Sequence, residues 1–402
     1  MANLFDSQRL GGDVVLKNRI VMPPMTRTRT SGGALPTDGD LPNELMATYY
    51  GQRATAGLII TEATDVDPSS HGYAWTPGIH SEAQVRAWGL VTDEVHRHGG
   101  TLFVQLWHVG RMAHSSILPD GQAPVGVTAQ RAEGSSVFAH GPDGRLGYMP
   151  TETPRPLDTR EVVAMVGTFA KAAANARRAG FDGVELHAAN GYLMEQFMNS
   201  VLNTRPDRYG GGSMENRTRF LMEVVDAVVA EFGPGRVGVR LSPFGTFNSI
   251  PTDPLAAETF LHLAEHLGRR GVAYIHLLYE LMPEGNMETA QFKPRYLDHA
   301  LLAKARALFP GAFIWCGGFN DRERAQAALD TGLVDLIAFG RPYIGNPDLP
   351  ERLKQGWPLV EANRSTYYTR VGETGFTDFP AYPATAEPRH GIPHALPPVA
   401  GS

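Results

Sequence analysis

Eight short, almost uninterrupted apolar runs recur along this chain, and most are followed by a stretch of helical periodicity. They occupy residues 20–25, 57–63, 101–106, 181–187, 237–242, 272–277, 312–317 and 334–340. Strands exposed on one face alternate apolar and polar residues; continuous runs belong to strands buried on both faces. The spacing predicts helices over 159–179, 215–232, 254–270, 296–309 and 321–331, the first capped by Asp158 or Thr159. Strand–helix alternation carried through eight strands points to an α/β fold, a closed parallel (β/α)8 TIM barrel. The rival is an open doubly wound sheet. The barrel is preferred because polar residues gather at or just after the runs: Thr26, Glu62, Gln105, His187, Arg240 and Arg341. In a barrel these strand ends share one mouth.

Two segments depart from the repeat. Residues 111–156, rich in Gly, Pro, Ser and Ala, separate the third strand from its helix, and a loop of that length reads as a capping excursion over the mouth. Residues 380–402 read as a Pro-rich C-terminal tail, which leaves 1–379 as one barrel domain. The 36 basic and 42 acidic residues, net −6, form no long run of one sign, which speaks against nucleic acid or anionic lipid as a partner. Cys316 is the single cysteine, so intrachain disulfides and cysteine-built metal clusters are excluded. The first residues have no apolar signal core, and no stretch is long enough to span a bilayer, which points to a cytoplasmic protein.

Three motifs are decoys. Gly233-Pro-Gly235-Arg-Val-Gly238 spells a dinucleotide fingerprint but precedes a strand, whereas the working motif follows one and opens a helix. His262-Leu-Ala-Glu265-His266 has the spacing of a zinc site but falls mid-helix in the outer ring, with no third ligand near it. Gly210-Gly211-Gly212-Ser213 lacks the lysine of a P-loop.

The chemistry concentrates after the fourth run, in Glu185-Leu-His187-Ala-Ala-Asn190-Gly-Tyr192. His187 and Asn190 can donate two hydrogen bonds to one oxygen, and Tyr192 can deliver a proton from another direction. That set suits a substrate whose carbonyl oxygen gains charge while a nearby carbon is protonated. Taken alone, His187 could equally close a strand end as a buried structural residue.

Other strand ends become coherent if flavin mononucleotide (FMN) lies across the mouth. Gly317-Gly318 and Gly340-Arg341 follow strands seven and eight, where barrels often bind phosphate. Gln105 and Arg240 suit the polar pyrimidine edge of a flavin, and Thr26 can donate to a ring carbonyl.

These residues sit within longer motifs. They include Asn18-Arg-Ile-Val-Met-Pro23-Pro24-Met25-Thr26-Arg27, Gly57-Leu-Ile-Ile-Thr-Glu62-Ala63 and Gln105-Leu-Trp107-His-Val-Gly-Arg111. Further along come Arg240-Leu-Ser-Pro-Phe-Gly245 and Ala338-Phe-Gly340-Arg341-Pro-Tyr343-Ile-Gly-Asn346-Pro-Asp348. Together they resemble the Old Yellow Enzyme family from about Leu4 to Phe379. The resemblance implies a barrel with one non-covalent FMN, reduced by NADPH or NADH, that reduces activated C=C bonds such as those of enones, enals, maleimides and nitroalkenes. It implies FMN contacts from Pro24, Met25, Thr26, Ala63, Gln105, His187, Arg240, Gly317, Gly318, Gly340 and Arg341. It implies His187 and Asn190 on the substrate oxygen, Tyr192 as proton donor, and Tyr73, Trp107 and Tyr368 lining the substrate side. Two departures stand out: one glycine too many at 210–212, and a capping segment around 130–148 that matches poorly. Reduction of nitrate esters or nitroaromatics is the alternative within the family; outside it stand a metal-dependent barrel hydrolase and a barrel that binds without turnover.

Overall fold

A computed structural model describes residues 2–32, 40–278, 281–284, 291–294, 299–368 and 372–382. The expected tail from residue 383 onward, and the first turn of the helix expected over 296–309, lie outside the described residues.

Eight parallel strands close into a barrel. They are β1 (Ile20–Met22), β2 (Leu58–Asp65), β3 (Leu102–Trp107), β4 (Gly183–Ala188), β5 (Val237–Leu241), β6 (Tyr274–Leu278), β7 (Ala312–Cys316) and β8 (Leu336–Ala338). Each expected run overlaps one of them, with β2, β3, β4 and β6 extending one or two residues past the expected end. Every residue of β2, β3, β4 and β5 is buried, which is why those runs carry no polar alternation. The first and last runs overshoot: β1 stops at Met22, so Pro24, Met25 and Thr26 lie on the loop, and β8 stops at Ala338, so Gly340 opens a short helix instead of ending a strand.

The helices between strands start where local chemistry satisfies their free N–H groups. Asp158, not Thr159, caps the helix Thr159–Arg178, in a reciprocal box with Glu161. Ser213 caps Met214–Phe232, accepting from the Asn216 amide. The extra glycine is absorbed just before that cap. A Cβ at Gly210 or Gly211 would fall 2.1 Å from the Arg205 carbonyl oxygen or 2.3 Å from that of Asn203, whereas at Gly212 it would meet nothing. The surplus residue therefore sits in open space and the helix begins normally. Gly233, with φ +82°, ends the same helix, and Gly235 packs on Gly11 at the base of the barrel, so the glycine fingerprint there is a bottom turn.

The interior is stratified. An N-terminal hairpin, Gln8–Gly11 with Val14–Leu16, plugs the base: Leu10, Val14 and Leu16 pack with Leu58, Phe103, Tyr274 and Ile314. At the opposite end, residues 111–156 form a cap containing an antiparallel hairpin, Ser136–His140 with Leu146–Pro150, which their Gly/Pro-rich composition does not announce. Ile117, Leu118, Ala132, Val137 and Ala139 of the cap join Ala63, Trp107 and Tyr192 in one apolar cluster over the mouth. No helix among the described residues is long and apolar enough to cross a membrane.

Candidate active site

Parallel register places His187 beside Arg240, Arg240 beside His276, and Glu185 beside Gln105. Residues paired this way on neighbouring strands point to one side of the sheet, and alternate residues repeat that direction. The result is a buried polar floor: Gln105 (1 % exposed), Glu185 (0 %), His276 (0 %) and Arg240 (6 %). Gln105 Nε2 donates to Glu185 Oε1 at 2.8 Å, and the other carboxylate oxygen lies 2.8 Å from His276 Nδ1. Arg240 Nη2 donates to the Cys316 sulfur at 3.8 Å.

Above that floor the chain turns sharply after β4. Asn190 has φ +62° and Gly191 φ +74°, a left-handed pair that Asn and Gly adopt more readily than other residues. The Asn190 amide donates to Ser242 Oγ at 2.9 Å, and its carbonyl accepts from Asn248 Nδ2 at 2.8 Å. Ser242 in turn donates to Glu195 Oε1, and the other oxygen of Glu195 accepts from the Gly191 amide. A Cβ at Gly191 would lie 2.7 Å from the Phe247 carbonyl oxygen. The turn is thus held from both sides.

This turn brings the His187 and Tyr192 rings together with Trp107, with Asn190 at its bend. The His187 and Tyr192 rings meet edge to face at 4.9 Å, and Trp107 lies 4.8 Å from Tyr192 and 6.1 Å from His187. Trp107 is fixed by its indole N–H, which donates to Asp65 Oδ1 at 2.6 Å, and Tyr73 stacks on it at 6.0 Å. Tyr368 stands apart from this packed group: it is 59 % exposed and occupies the open rim. Its phenol is still within electrostatic reach of Tyr73 and Tyr192.

Burial sets the protonation states. It drives the His187 imidazole well below its usual range, helped by the positive charges of Arg240 and His276, so His187 is neutral at pH 7. It drives the Tyr192 phenol well above 10, reinforced by Tyr73, while Asn248 opposes through a hydrogen bond. Tyr73 is raised by burial to about 12. Both phenols are therefore protonated proton carriers.

The mouth suits a flavin on the evidence of its unmet hydrogen bonds. Arg240 Nε and His187 Nδ1 are buried without a partner, a costly state unless a ligand meets them. Gln105 commits its nitrogen to Glu185 and keeps its carbonyl oxygen to accept from an imide N–H. At the far side, Gly317 (φ +132°) and Gly318 (φ +72°) offer backbone free of side chains. Gly340 lies against Pro23 and Met25, which joins the ends of β8 and β1, and Arg341 is exposed beside it. Sequence reasoning missed Arg324, whose guanidinium comes within 3.4 Å of the position a Gly318 Cβ would take. It also missed Asp65, Asn248 and His276; only His276 left a signal, two residues after Tyr274 within an inward-facing phase. Among the described residues no three His, Cys, Asp or Glu side chains converge as metal ligands, and the His262 and His266 rings merely stack at 4.0 Å.

Comparison with known proteins agrees with this geometry. The profile of the NADH:flavin oxidoreductase / NADH oxidase family matches residues 3–359. The chain is 43 % identical over 373 residues to 12-oxophytodienoate reductase 1 of Oryza sativa subsp. japonica, covering 92 % of this chain and 90 % of the relative. It is 41 % identical to 12-oxophytodienoate reductase 2 of Arabidopsis thaliana, over 92 % and 94 % of the two chains. Among solved structures, morphinone reductase in complex with tetrahydroNAD superposes with TM-score 0.87 at 44 % identity, over 96 % of this chain and 99 % of the other. The Old Yellow Enzyme homologue of Zymomonas mobilis gives 0.83 at 39 %, over 94 % and 100 %.

Proposed function

Because the chain belongs to the NADH:flavin oxidoreductase / NADH oxidase family, that of Old Yellow Enzyme, we propose that the groups at its barrel mouth carry out the two halves of an ene-reductase reaction. The protein is an FMN-dependent oxidoreductase that takes hydride from a reduced nicotinamide nucleotide and reduces activated C=C bonds. FMN, when bound, would supply the redox chemistry that links a reduced nicotinamide nucleotide to the β-carbon of the alkene. Gln105 and Arg240 would hold its pyrimidine edge, with Pro24, Met25, Thr26 and Ala63 as the other residues that would meet the ring. Gly317, Gly318, Gly340 and Arg341 would hold its phosphate. Residues 1–379 act as one catalytic unit, with 111–156 as its cap.

His187 and Asn190 donate to the carbonyl or nitro oxygen of the substrate. Because His187 is neutral, it stabilises the developing charge as a fixed dipole. Tyr192 gives its proton to the α-carbon, and Tyr73 and Asn248 orient the phenol. Trp107 and Tyr73 form an apolar wall for the alkene, and Tyr368 closes the rim. The relatives are named as reductases of 12-oxophytodienoate and of morphinone, both oxo compounds by name, which favours α,β-unsaturated ketones over nitrate esters or nitroaromatics. A cytoplasmic setting with reduced nicotinamide nucleotide fits this reading.

The observation that carries the assignment is the packing of His187 and Tyr192 against each other and Trp107, over a floor whose Arg240 has an unmet N–H. The test is anaerobic: enzyme reduced with one equivalent of NADPH is mixed with cyclohexenone or N-ethylmaleimide while the flavin absorbance is followed. Rapid reoxidation is expected. A protein that stays reduced, or carries no flavin, overturns the assignment.

A further inference from the structure

The reaction described above uses Gln105 and Arg240 but gives no task to the ionisable groups beneath them. Glu185 and His276 are both fully buried, an arrangement that is expensive unless the charges are matched. The matching is close. Glu185 accepts from Gln105 Nε2 at 2.8 Å and lies 2.8 Å from His276 Nδ1, and the buried Tyr274 phenol, which has no hydrogen-bond partner among the described residues, feels the charge of the same carboxylate. His276 lies beside Arg240 in strand register, and the Cys316 thiol sits against the His276 ring and the Arg240 guanidinium. Gln105, held through Glu185, and Arg240, beside His276, are the two residues assigned to the pyrimidine edge.

We propose that His276, held by Glu185, is a charge-setting residue: its positive charge under Arg240 makes the floor of the flavin site net cationic and so favours the reduced cofactor. The inference rests on the flavin placement above. With Glu185 anionic and His276 and Arg240 cationic, the floor carries one net positive charge. The groups facing His276 are Glu185 and His187 from β4, Arg240 from β5, Tyr274 from its own strand, and Cys316 from β7, with neutral Gln105 from β3 bound to the same carboxylate. Burial alone would discharge His276, but the Glu185 carboxylate overcomes it and raises the pKa above 6.5, while Arg240 opposes. The cationic state is therefore conditional on Glu185. His276 is a positioning and electrostatic residue, since it acts through Arg240 and Gln105.

The conditional charge gives a test that a purely structural role would not pass. His276→Gln removes the cation and leaves Glu185 against Arg240, so the floor falls to zero net charge. Glu185→Gln removes the anion and with it the reason for His276 to hold its proton, so the net charge stays at one. Flavin midpoint potentials of the holoenzymes, measured by dye-coupled reduction from about pH 5.5 to 9, should fall in His276→Gln by an amount equivalent to at least a tenfold weaker reduction equilibrium. For a two-electron couple that is about 30 mV. The shift in Glu185→Gln should be smaller. The wild-type potential should also fall more steeply with pH above the ordinary histidine range, because reduction strengthens proton binding at His276. That extra slope should vanish in His276→Gln and persist in Cys316→Ser, which excludes the thiol as its source. Unchanged potentials and slope, with only melting temperature or flavin affinity affected, would overturn the proposal. Arg240→Met separates the two levels: if it leaves both flavin binding and potential unchanged, the flavin placement itself fails. If it lowers the potential while His276→Gln does not, only the role of His276 fails.

Discussion

Replacing Tyr192 by phenylalanine removes one oxygen from the mouth and leaves its apolar wall intact. The ring keeps its edge-to-face contacts at 4.8 Å with Trp107 and 4.9 Å with His187. What is lost is a protonated phenol hydrogen-bonded to Tyr73 and Asn248. A positioned general acid contributes about 10²–10⁴-fold, so the rate of alkene reduction should fall by that range, about 3–5 kcal/mol in barrel-mouth catalysis. Two neutral hydrogen bonds at about 1 kcal/mol each bound the cost to folding, and the melting temperature should drop by only a few degrees. Hydride uptake from NADPH involves no proton from Tyr192 and should keep its wild-type rate. Anaerobic stopped-flow absorbance resolves the two half-reactions directly. Because the wild-type phenol titrates well above 10, reoxidation by an enone should show no loss through tyrosine ionisation up to about pH 9. Equal slowing of both half-reactions, or reoxidation of the variant at the wild-type rate, would refute Tyr192 as the donor.

Three further outcomes are expected. His187→Ala should lower the rate of enone reoxidation by about 10²–10³-fold, and Asn190→Ala should act on the same step; measured together, their effects should be less than additive because both donors serve one oxygen. Gly318→Ala forces a side chain into φ +72° beside the Arg324 guanidinium, at a cost of about 1–2 kcal/mol, and should weaken FMN binding to the apoprotein about tenfold while riboflavin binding changes less. Glu62 is buried, which raises its carboxyl from 4.5 to about 7 against the opposing Arg27 amide hydrogen bond. A folded pKa above the unfolded one means the stability from the protonated carboxyl is complete below about 4.5 and lost as pH rises through about 7. Glu62→Gln should therefore flatten the fall in melting temperature across that window; an unchanged slope would count against it.

What the sequence revealed and concealed follows from how local each interaction is. The eight strands were legible because burial on both faces writes itself into near-continuous apolar runs, as in Leu102–Trp107 and Ala312–Cys316. His187, Asn190 and Tyr192 were legible because a single turn carries all three. The ends of β1 and β8 were overextended, since Pro23–Met25 and Phe339 are apolar yet lie on loops. The cap hairpin was hidden because its strands pair with each other and its outer face, including Tyr148 at 67 % exposed, is not core. The pairing beneath Gln105 and Arg240 was hidden for a different reason: Glu185, His276 and Cys316 come from three separate strands, and only the closed register of the barrel brings them under those two residues.

That register also accounts for the division of charge within the site. The groups proposed to reach a flavin from beneath include a cation, Arg240, whereas the imidazole proposed to meet the substrate is kept neutral. The same two charges, on Arg240 and His276, suppress protonation of His187, and in the proposed flavin placement they would also favour electron density on the cofactor. A protonated His187 would add a third cation to a water-poor cavity, where repulsion at an effective dielectric near 20 is on the order of kcal/mol at the spacing of adjacent strands. Neutrality leaves His187 able to stabilise negative charge only as it develops on the substrate oxygen, which is the condition for lowering a barrier instead of tightening ground-state binding. A cation placed one strand away thus serves the substrate step by fixing the protonation of its neighbour, and substitutions at Arg240 should alter the pH dependence of alkene reduction through His187 as well as the affinity for FMN.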